Sequence, residues 1–498
     1  MDFLGLRNLT IIDDIVKDIQ KDQPSFSINR IPLMDRDTAR VFASGDTTGI
    51  FQFESAGMKN LLRKMKPMTM DDIACAMALY RPSSSMHIPE YLSARANPSS
   101  IHYPCAQLKP VLSATCGIMI YQEQVMQCAQ IMAGFTLAKA DILRRAISKK
   151  NMQVMQSMKG EFLEGCRKNG HAQQLAEELF AMIEQFAGYG FNKSHAIAYS
   201  VIACQLAWLK AHYPLHFYTA LLNSCIGDQK KTGQYIDECR RRRITVSYPD
   251  VNVSLGVCIH DEGSLTLPLT AISSIGPQIA SDIIKEREKN GPYKDYIDFV
   301  ARISMYRISR SNIEALIDGG ALDIFEYNRL TMKDALDDVL RYSELVRIDH
   351  NGVMRIDLTL ISPPAIIRKA EDGDVRSEAE RKVYGFTLGP SKTAALRQKN
   401  NINLPSLSYY EGRIGIVESF AEIRYVREHR TKKGSMMAFI QIADESAAME
   451  MRVMPMQYQR YNSLLTRGSY IIFRAKMTEE GYLIADKIRS IGKGKDND

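Results

Sequence analysis

FAGYGFNKSHAIAYSVIACQLAWLKAHYP, residues 186–214, is the stretch on which the reading of this chain turns. Its second half is helical by spacing: Ile197, Val201, Cys204 and Trp208 recur three or four apart on one face, and Pro214 stops the run. The glycines of its first half let backbone approach a ligand, and the helix start behind them offers N–H groups suited to phosphate. Lys193 and His195 add charge and hydrogen bonds, while Tyr189 and Phe191 offer ring faces to bases. A glycine-rich loop with a helix cap and two core aromatics accounts for the same letters.

Outward from this stretch, residues from about 35 to 230 keep the helical period. From about 250 to 270 the pattern is extended, and from 271 to 325 short helices alternate with turns, which marks a separate module. Residues 346–380 are turn-rich and polar and read as an exposed connector. Short alternating runs at 413–417, 438–442, 449–453, 470–475 and 482–484 predict five strands of a small oligonucleotide-binding (OB-fold) barrel. The fold class expected is therefore multidomain and mainly α, with a carboxy-terminal all-β barrel.

The 498 residues call for three or more domains. With 45% hydrophobic and 24% charged residues, the balance is that of a globular chain. No apolar run reaches the length of a spanning helix and no secretion signal opens the chain, so the cytoplasm is the expected compartment. Nine cysteines without a Cys-x-x-Cys pair read as reduced core thiols. The net charge of +7 is modest, but basic residues cluster at 144–145, 149–150 and 240–243, where a polyanion is a plausible partner.

Four places carry candidate chemistry. On a helix capped by Thr136, Arg145 and Lys149 lie four apart and would share an anion such as a triphosphate, unless Asp141 simply bridges to Arg145. The glycine-rich loop is the second. The third is the hairpin at 272–280, where Ser274, Gly276 and Gln278 sit between short helices in the manner of a helix-hairpin-helix grip on DNA phosphates. Ser274 stands there in place of the usual first glycine. The fourth is the barrel, where Arg424, Arg427, Arg430, Lys432 and Lys433 crowd the stretch between the first two strands beside Tyr425 and Phe439, as suits single-stranded nucleic acid. Asp35 and Asp37 read as helix-capping acids rather than metal ligands. The histidines form no metal-ligand cluster in the sequence.

Taken in order, GIFQFESAGM (49–58), ALYRP (78–82), YQEQVM (121–126), ILRRAISKK (142–150), GYGFNKSHA (188–196), LKAHYP (209–214), PDVNVS (249–254) and TKKGSMMAFIQIADE (431–445) resemble the C-family of bacterial replicative DNA polymerases, the family of polymerase III α subunits. The resemblance covers nearly the whole chain. It implies the end of a palm up to about residue 12, fingers over 13–230, a clamp-binding domain over 231–345, a linker over 346–404 and the OB-fold domain over 405–492. Asp2 matches the third of three palm aspartates that hold two Mg2+ ions in the family. The other two would lie upstream of residue 1, so the chain is expected to be inactive alone. Arg144 and Arg145 would bind the dNTP triphosphate, and Lys149, Lys150, Asn192, Lys193 and His195 would line the nucleotide and primer–template site.

Two departures stand out. Serines at 83–85 replace the family's glycine and proline, which predicts a looser turn. Arg355, Ile356, Asp357, Leu358 and Thr359 occupy the place of the family's peptide for the β sliding clamp, with both ends altered. The function expected is thus part of a DNA-directed DNA polymerase contributing dNTP, primer–template and clamp contacts. The alternative is a non-catalytic nucleic-acid-binding protein built from the hairpin and barrel modules.

Overall fold

The computed structural model describes residues 5–148, 152–186, 190–350, 353–371, 373–389, 392–410, 412–431 and 434–491. The chain forms two compact units that divide between Tyr213 and Pro214.

The N-terminal unit is helical. Its axis is the helix Lys193–His212, which packs most extensively on Met70–Leu79 and also on Arg36–Ser44 and Arg7–Asp22. The buried face of that axis is not the expected one. Ala196, Ser200, Ala203, Cys204 and Ala207 are buried, whereas Ile197, Val201 and Trp208 are only partly covered. The facing helix Met70–Leu79 is itself rich in small buried residues, Ala74, Ala76 and Ala78 among them, which suits close approach of the two backbones. A second helical layer, formed by Gln122–Ala133, Leu137–Ser148, Met152–Lys168 and Gln173–Phe186, closes around its own core of Val125, Met132, Leu143, Phe162 and Phe180.

Two charged groups are built into this packing. The fully buried Lys210 ammonium donates to the carbonyl oxygens of Asp46 (2.8 Å) and Thr48 (2.9 Å) and to Asp46 Oδ1 (3.2 Å). Those bonds fix the start of the segment 46–53. Asp72 closes a capping box with Thr69 at the head of Met70–Leu79 and accepts from Arg95 Nη1 at 2.5 Å. Burial alone would raise its carboxyl, but Arg95 and the backbone N–H groups of Met68 and Thr69 outweigh it and hold the group below its usual 3.8.

In the C-terminal unit β1 (Thr245–Ser247), β2 (Ile259–Asp261) and β3 (Ser264–Thr266) form a sheet in the order β1-β3-β2. Helices Pro277–Asn290, Tyr296–Ile303, Arg310–Asp318 and Arg329–Leu345 follow, then the hairpin of β4 (Arg347–His350) and β5 (Val353–Ile356). Of the expected exposed connector, residues 357–371 carry no regular element and are mostly exposed, whereas β4, β5 and the helix Gly373–Tyr384 are folded. Helix Gly373–Tyr384 buries Glu380, Val383 and Tyr384, and the Tyr384 hydroxyl donates to Gly319 O at 2.5 Å. The buried Glu380 is neutralised internally. Arg329 Nη1 donates to it at 3.2 Å, the Tyr248 hydroxyl at 2.6 Å and the Leu388 N–H at 2.8 Å.

The last five strands are β6 (Gly415–Arg430), β7 (Met436–Ala443), β8 (Ala448–Val453), β9 (Tyr470–Met477) and β10 (Leu483–Ser490), closed in the order β10-β8-β7-β6-β9. β8 and β10 pair in parallel, the other neighbours are antiparallel, and helix Pro455–Tyr461 lies between β8 and β9 in sequence. This is the Greek-key order of an OB-fold barrel. β6 runs thirteen residues past the expected end at Val417. It pairs with β9 through Glu422 and with β7 from Glu422 onward, with a bulge between Ile423 and Tyr425. Among the described residues no helix is long and apolar enough to cross a membrane, and all nine cysteines are free thiols.

Replacing Lys210 with Met removes its bonds to three oxygens of Asp46 and Thr48 and is expected to lower stability by about 2–4 kcal/mol in denaturant unfolding. Asp72 has a depressed folded pKa, so its contribution is complete above about pH 4 and is lost as pH falls through the folded value. Asp72→Asn should therefore destabilise by about 1–2 kcal/mol at pH 7, with the gap to wild type closing as pH falls through the folded value.

Candidate functional site

A cavity in the N-terminal unit measures about 700 Å³ and is built from three of the quoted strings. Phe51 and Gln52 come from the 49–58 segment, Arg81 from the end of Met70–Leu79, and Phe191, His195 and Tyr199 from the glycine-rich loop and the helix behind it. His195 lies 5.5 Å from the Phe191 ring and 4.2 Å from Tyr199, whose ring stacks on Phe51 at 5.2 Å. The Arg81 guanidinium lies over Phe191 at 4.2 Å. Burial disfavours its charge and draws its pKa below the ordinary value. An aromatic wall with a single permanent cation among the lining residues suits a planar, partly polar ligand.

The glycine-rich loop is placed by backbone. Phe191 N–H donates to Ile120 O at 3.0 Å and Gln122 N–H to Phe191 O at 2.8 Å, a short parallel bridge to the 121–126 string. Gly190 is required by close approach, since a Cβ there would meet the Phe186 ring at 2.2 Å. The expected phosphate cradle is partly spent. Asn192 Oδ1 accepts from His195 N–H at 2.7 Å as the N-cap, and Glu123 Oε2 accepts from Lys193 N–H at 2.9 Å. Lys193 itself is half exposed, with Nζ 3.9 Å from Asp71 Oδ1.

Arg144 and Arg145 do not line the cavity. Both bridge to Asp141, at 2.8 and 2.7 Å, and Arg144 also reaches Gln122 Oε1 at 3.3 Å. The two arginines hold the Asp141 carboxyl below its ordinary range. Lys149, Lys150, Tyr189, Lys432, Lys433 and Asp2 lie outside the described residues. Asp35 is a cap, as expected: it accepts from Thr38 N–H at 2.8 Å, and also from Trp208 Nε1 at 3.1 Å, with His212 Nε2 at 2.7 Å. The serine turn is tight rather than loose, because Ser84 Oγ donates to Ala78 O at 2.9 Å and the N–H groups of Ser84 and Ser85 both bond Arg81 O.

At the hairpin, Ser274 adopts φ +75°, the left-handed conformation that favours glycine. Its carbonyl accepts from Asn312 Nδ2 at 2.9 Å, and Ser273 bonds Val383 O through both N–H and Oγ. Gly276 caps helix Pro277–Asn290 in extended conformation, and Gln278 donates to Asp282 at 2.8 Å on the same helix.

Residues 8–170 match the model of the bacterial DNA polymerase III alpha subunit finger domain, and residues 243–332 match a helix-hairpin-helix motif. The DNA polymerase III subunit alpha of Bacillus subtilis (strain 168) is 36% identical over 489 residues, which is 96% of this chain and 43% of that protein. That of Staphylococcus aureus (strain MRSA252) is 35% identical over 498 residues, 99% of this chain and 46% of that protein. The chain belongs to the bacterial DNA polymerase III α-subunit family. It spans less than half the length of these relatives.

In this α-subunit family member the barrel carries a second polar and aromatic face. Arg427, Phe439 and Arg452 are register partners across β6, β7 and β8. Arg427 lies over the Phe439 ring at 4.9 Å, and Arg452 lies over Tyr482 at 3.5 Å. The sequence reading missed Arg452 and Tyr482, because only the strand register brings them beside Phe439. Arg424 goes elsewhere: it stands at the β6 bulge, which turns it into an ion pair with Asp237. Arg424 and Arg427 are thus strand residues, not loop residues. The segment expected to reach a clamp is folded in. Arg355 and Ile356 end β5, Asp357 N–H bonds Val346 O at 2.9 Å, and Ile356 and Leu358 pack on Ala301, Tyr342 and Val346.

Ser274→Gly is expected to raise stability by about 0.5–1 kcal/mol, since it removes left-handed strain without deleting a bond made by the Ser274 side chain among the described residues. A lower midpoint in thermal unfolding would contradict this.

Proposed function

We propose that the chain supplies the nucleotide-binding fingers, a DNA-contacting hairpin module and a single-strand-contacting barrel to a template-directed DNA polymerase. The observation that carries this reading is the convergence of three family strings on one aromatic cavity. On this reading the cavity takes the nucleoside part of a dNTP. Arg144, Arg145, Lys149, Lys150 and Lys193 meet its phosphates and the primer–template, and His195 packs against the sugar. The Arg427, Phe439 and Arg452 face stacks and neutralises single-stranded template. Its compartment is the cytoplasm, where bacterial DNA is copied.

Within either unit the described residues bring no three metal-ligating side chains together. Asp2 is the acid through which the chain would meet Mg2+. A clamp contact through residues 355–358 would have to withdraw Ile356 and Leu358 from the packing around Tyr342. That cost favours a clamp contact made elsewhere.

Fluorescence anisotropy with single-stranded DNA and with a primer–template, across a salt series, tests the reading. Binding should fall steeply with salt. Phe439→Ala should weaken single-strand binding roughly tenfold, and Lys193→Ala should reduce the salt slope for primer–template by about one. Affinity that ignores salt and both substitutions would overturn it.

A further inference from the structure

Gln52 breaks a local rule. Phe53 N–H bonds Ile50 O at 3.0 Å, so residues 50–53 form a β-turn whose third residue is Gln52, at φ +68°. Glycine or asparagine belongs at that position, because a longer side chain is strained there. The surroundings enforce the turn. Thr47 Oγ1 donates to Phe53 O at 2.6 Å, Gly49 N–H donates to Glu54 Oε1 at 2.6 Å, and Lys210 grips the carbonyls of Asp46 and Thr48. Among the described residues the Gln52 carboxamide makes no hydrogen bond, yet it lines the cavity beside Phe51, Tyr199 and His195. Strain held in place by neighbours, with no local gain, marks functional positions.

We infer that Gln52 is a specificity-determining residue whose carboxamide hydrogen-bonds the nucleoside part of the dNTP, and not its phosphates. The inference rests on the reading of this cavity as a nucleotide site. Chemistry selects the nucleoside: Glu54 also lines the cavity and would repel a phosphate, whereas a neutral carboxamide offers a donor and an acceptor to base edges or a sugar hydroxyl.

The test is saturable binding of the four dNTPs and of inorganic tripolyphosphate to the full chain, followed by NMR, with thermal unfolding in parallel. Gln52→Gly should raise the unfolding midpoint by relieving strain, yet weaken dNTP binding roughly tenfold. Tripolyphosphate binding should be unchanged. Gln52→Asn, which keeps a carboxamide and tolerates the turn, should recover part of the dNTP affinity. Wild-type dNTP affinity in Gln52→Gly, or an equal loss for tripolyphosphate, overturns the inference and leaves the nucleotide-site reading standing. Absence of dNTP binding by the wild-type chain overturns that reading and this inference together.

Discussion

A buried lysine sets what the N-terminal unit can present. Lys210 sits on the helix Lys193–His212, and its ammonium is sequestered among oxygens of Asp46 and Thr48. Burying a charge is tolerable only when such partners are complete. The same helix carries His195 and Tyr199 about four and three turns upstream, so one rigid element fixes both the aromatic wall of the cavity and the segment that faces it. The Ala- and Ser-lined contact with Met70–Leu79 completes the frame. It brings Arg81, just beyond the end of that helix, over Phe191.

The C-terminal unit solves a comparable problem with Arg329. Its guanidinium joins Asp323, Glu380 and the carbonyl of Asp318, and so ties the hairpin helices to Gly373–Tyr384. Because Ser273 also bonds Val383 on that helix, the geometry of the hairpin depends on a segment more than one hundred residues away in sequence. In the barrel, a bulge in β6 divides neighbouring arginines between two tasks. Arg424 fastens the barrel to Asp237, while Arg427 stays on the face with Phe439.

The strands of the barrel were legible because alternation is local, and so was the Asp141 bridge, because its partners lie three and four residues away on one helix. The length of β6 was not legible, since it follows from switching partners from β9 to β7, which no local pattern records. The buried face of Lys193–His212 was misread for a related reason. Apolar bulk points to Ile197 and Trp208, whereas the buried positions include Ala196, Ser200, Ala203, Ala207 and Lys210 beside Leu206 and Leu209. The burial of Glu380 was not legible, because its counter-charge comes from Arg329, fifty-one residues earlier. Within the cavity, His195 was legible from its loop. Gln52 and Arg81 drew no attention as chemistry, because their roles depend on a turn conformation and a ring contact.

The bridge from Arg144 and Arg145 to Asp141 bears on how an anion could be received. Two like-charged neighbours left unpaired would repel each other and lose order. Asp141 holds them together at a partly exposed position, where solvent screens the ion pairs and makes them weak. A polyphosphate with several oxygens offers each guanidinium a two-point contact that a shared carboxylate cannot give to both. On the proposed reading, Asp141 therefore acts as a placeholder. It keeps the arginines ordered at little energetic depth, so that exchange for a phosphate needs no rearrangement of the helix. On the same reading, an anion grip outside the aromatic cavity, beside Gln122 rather than beside Glu54, would separate recognition of the nucleoside from recognition of its charge.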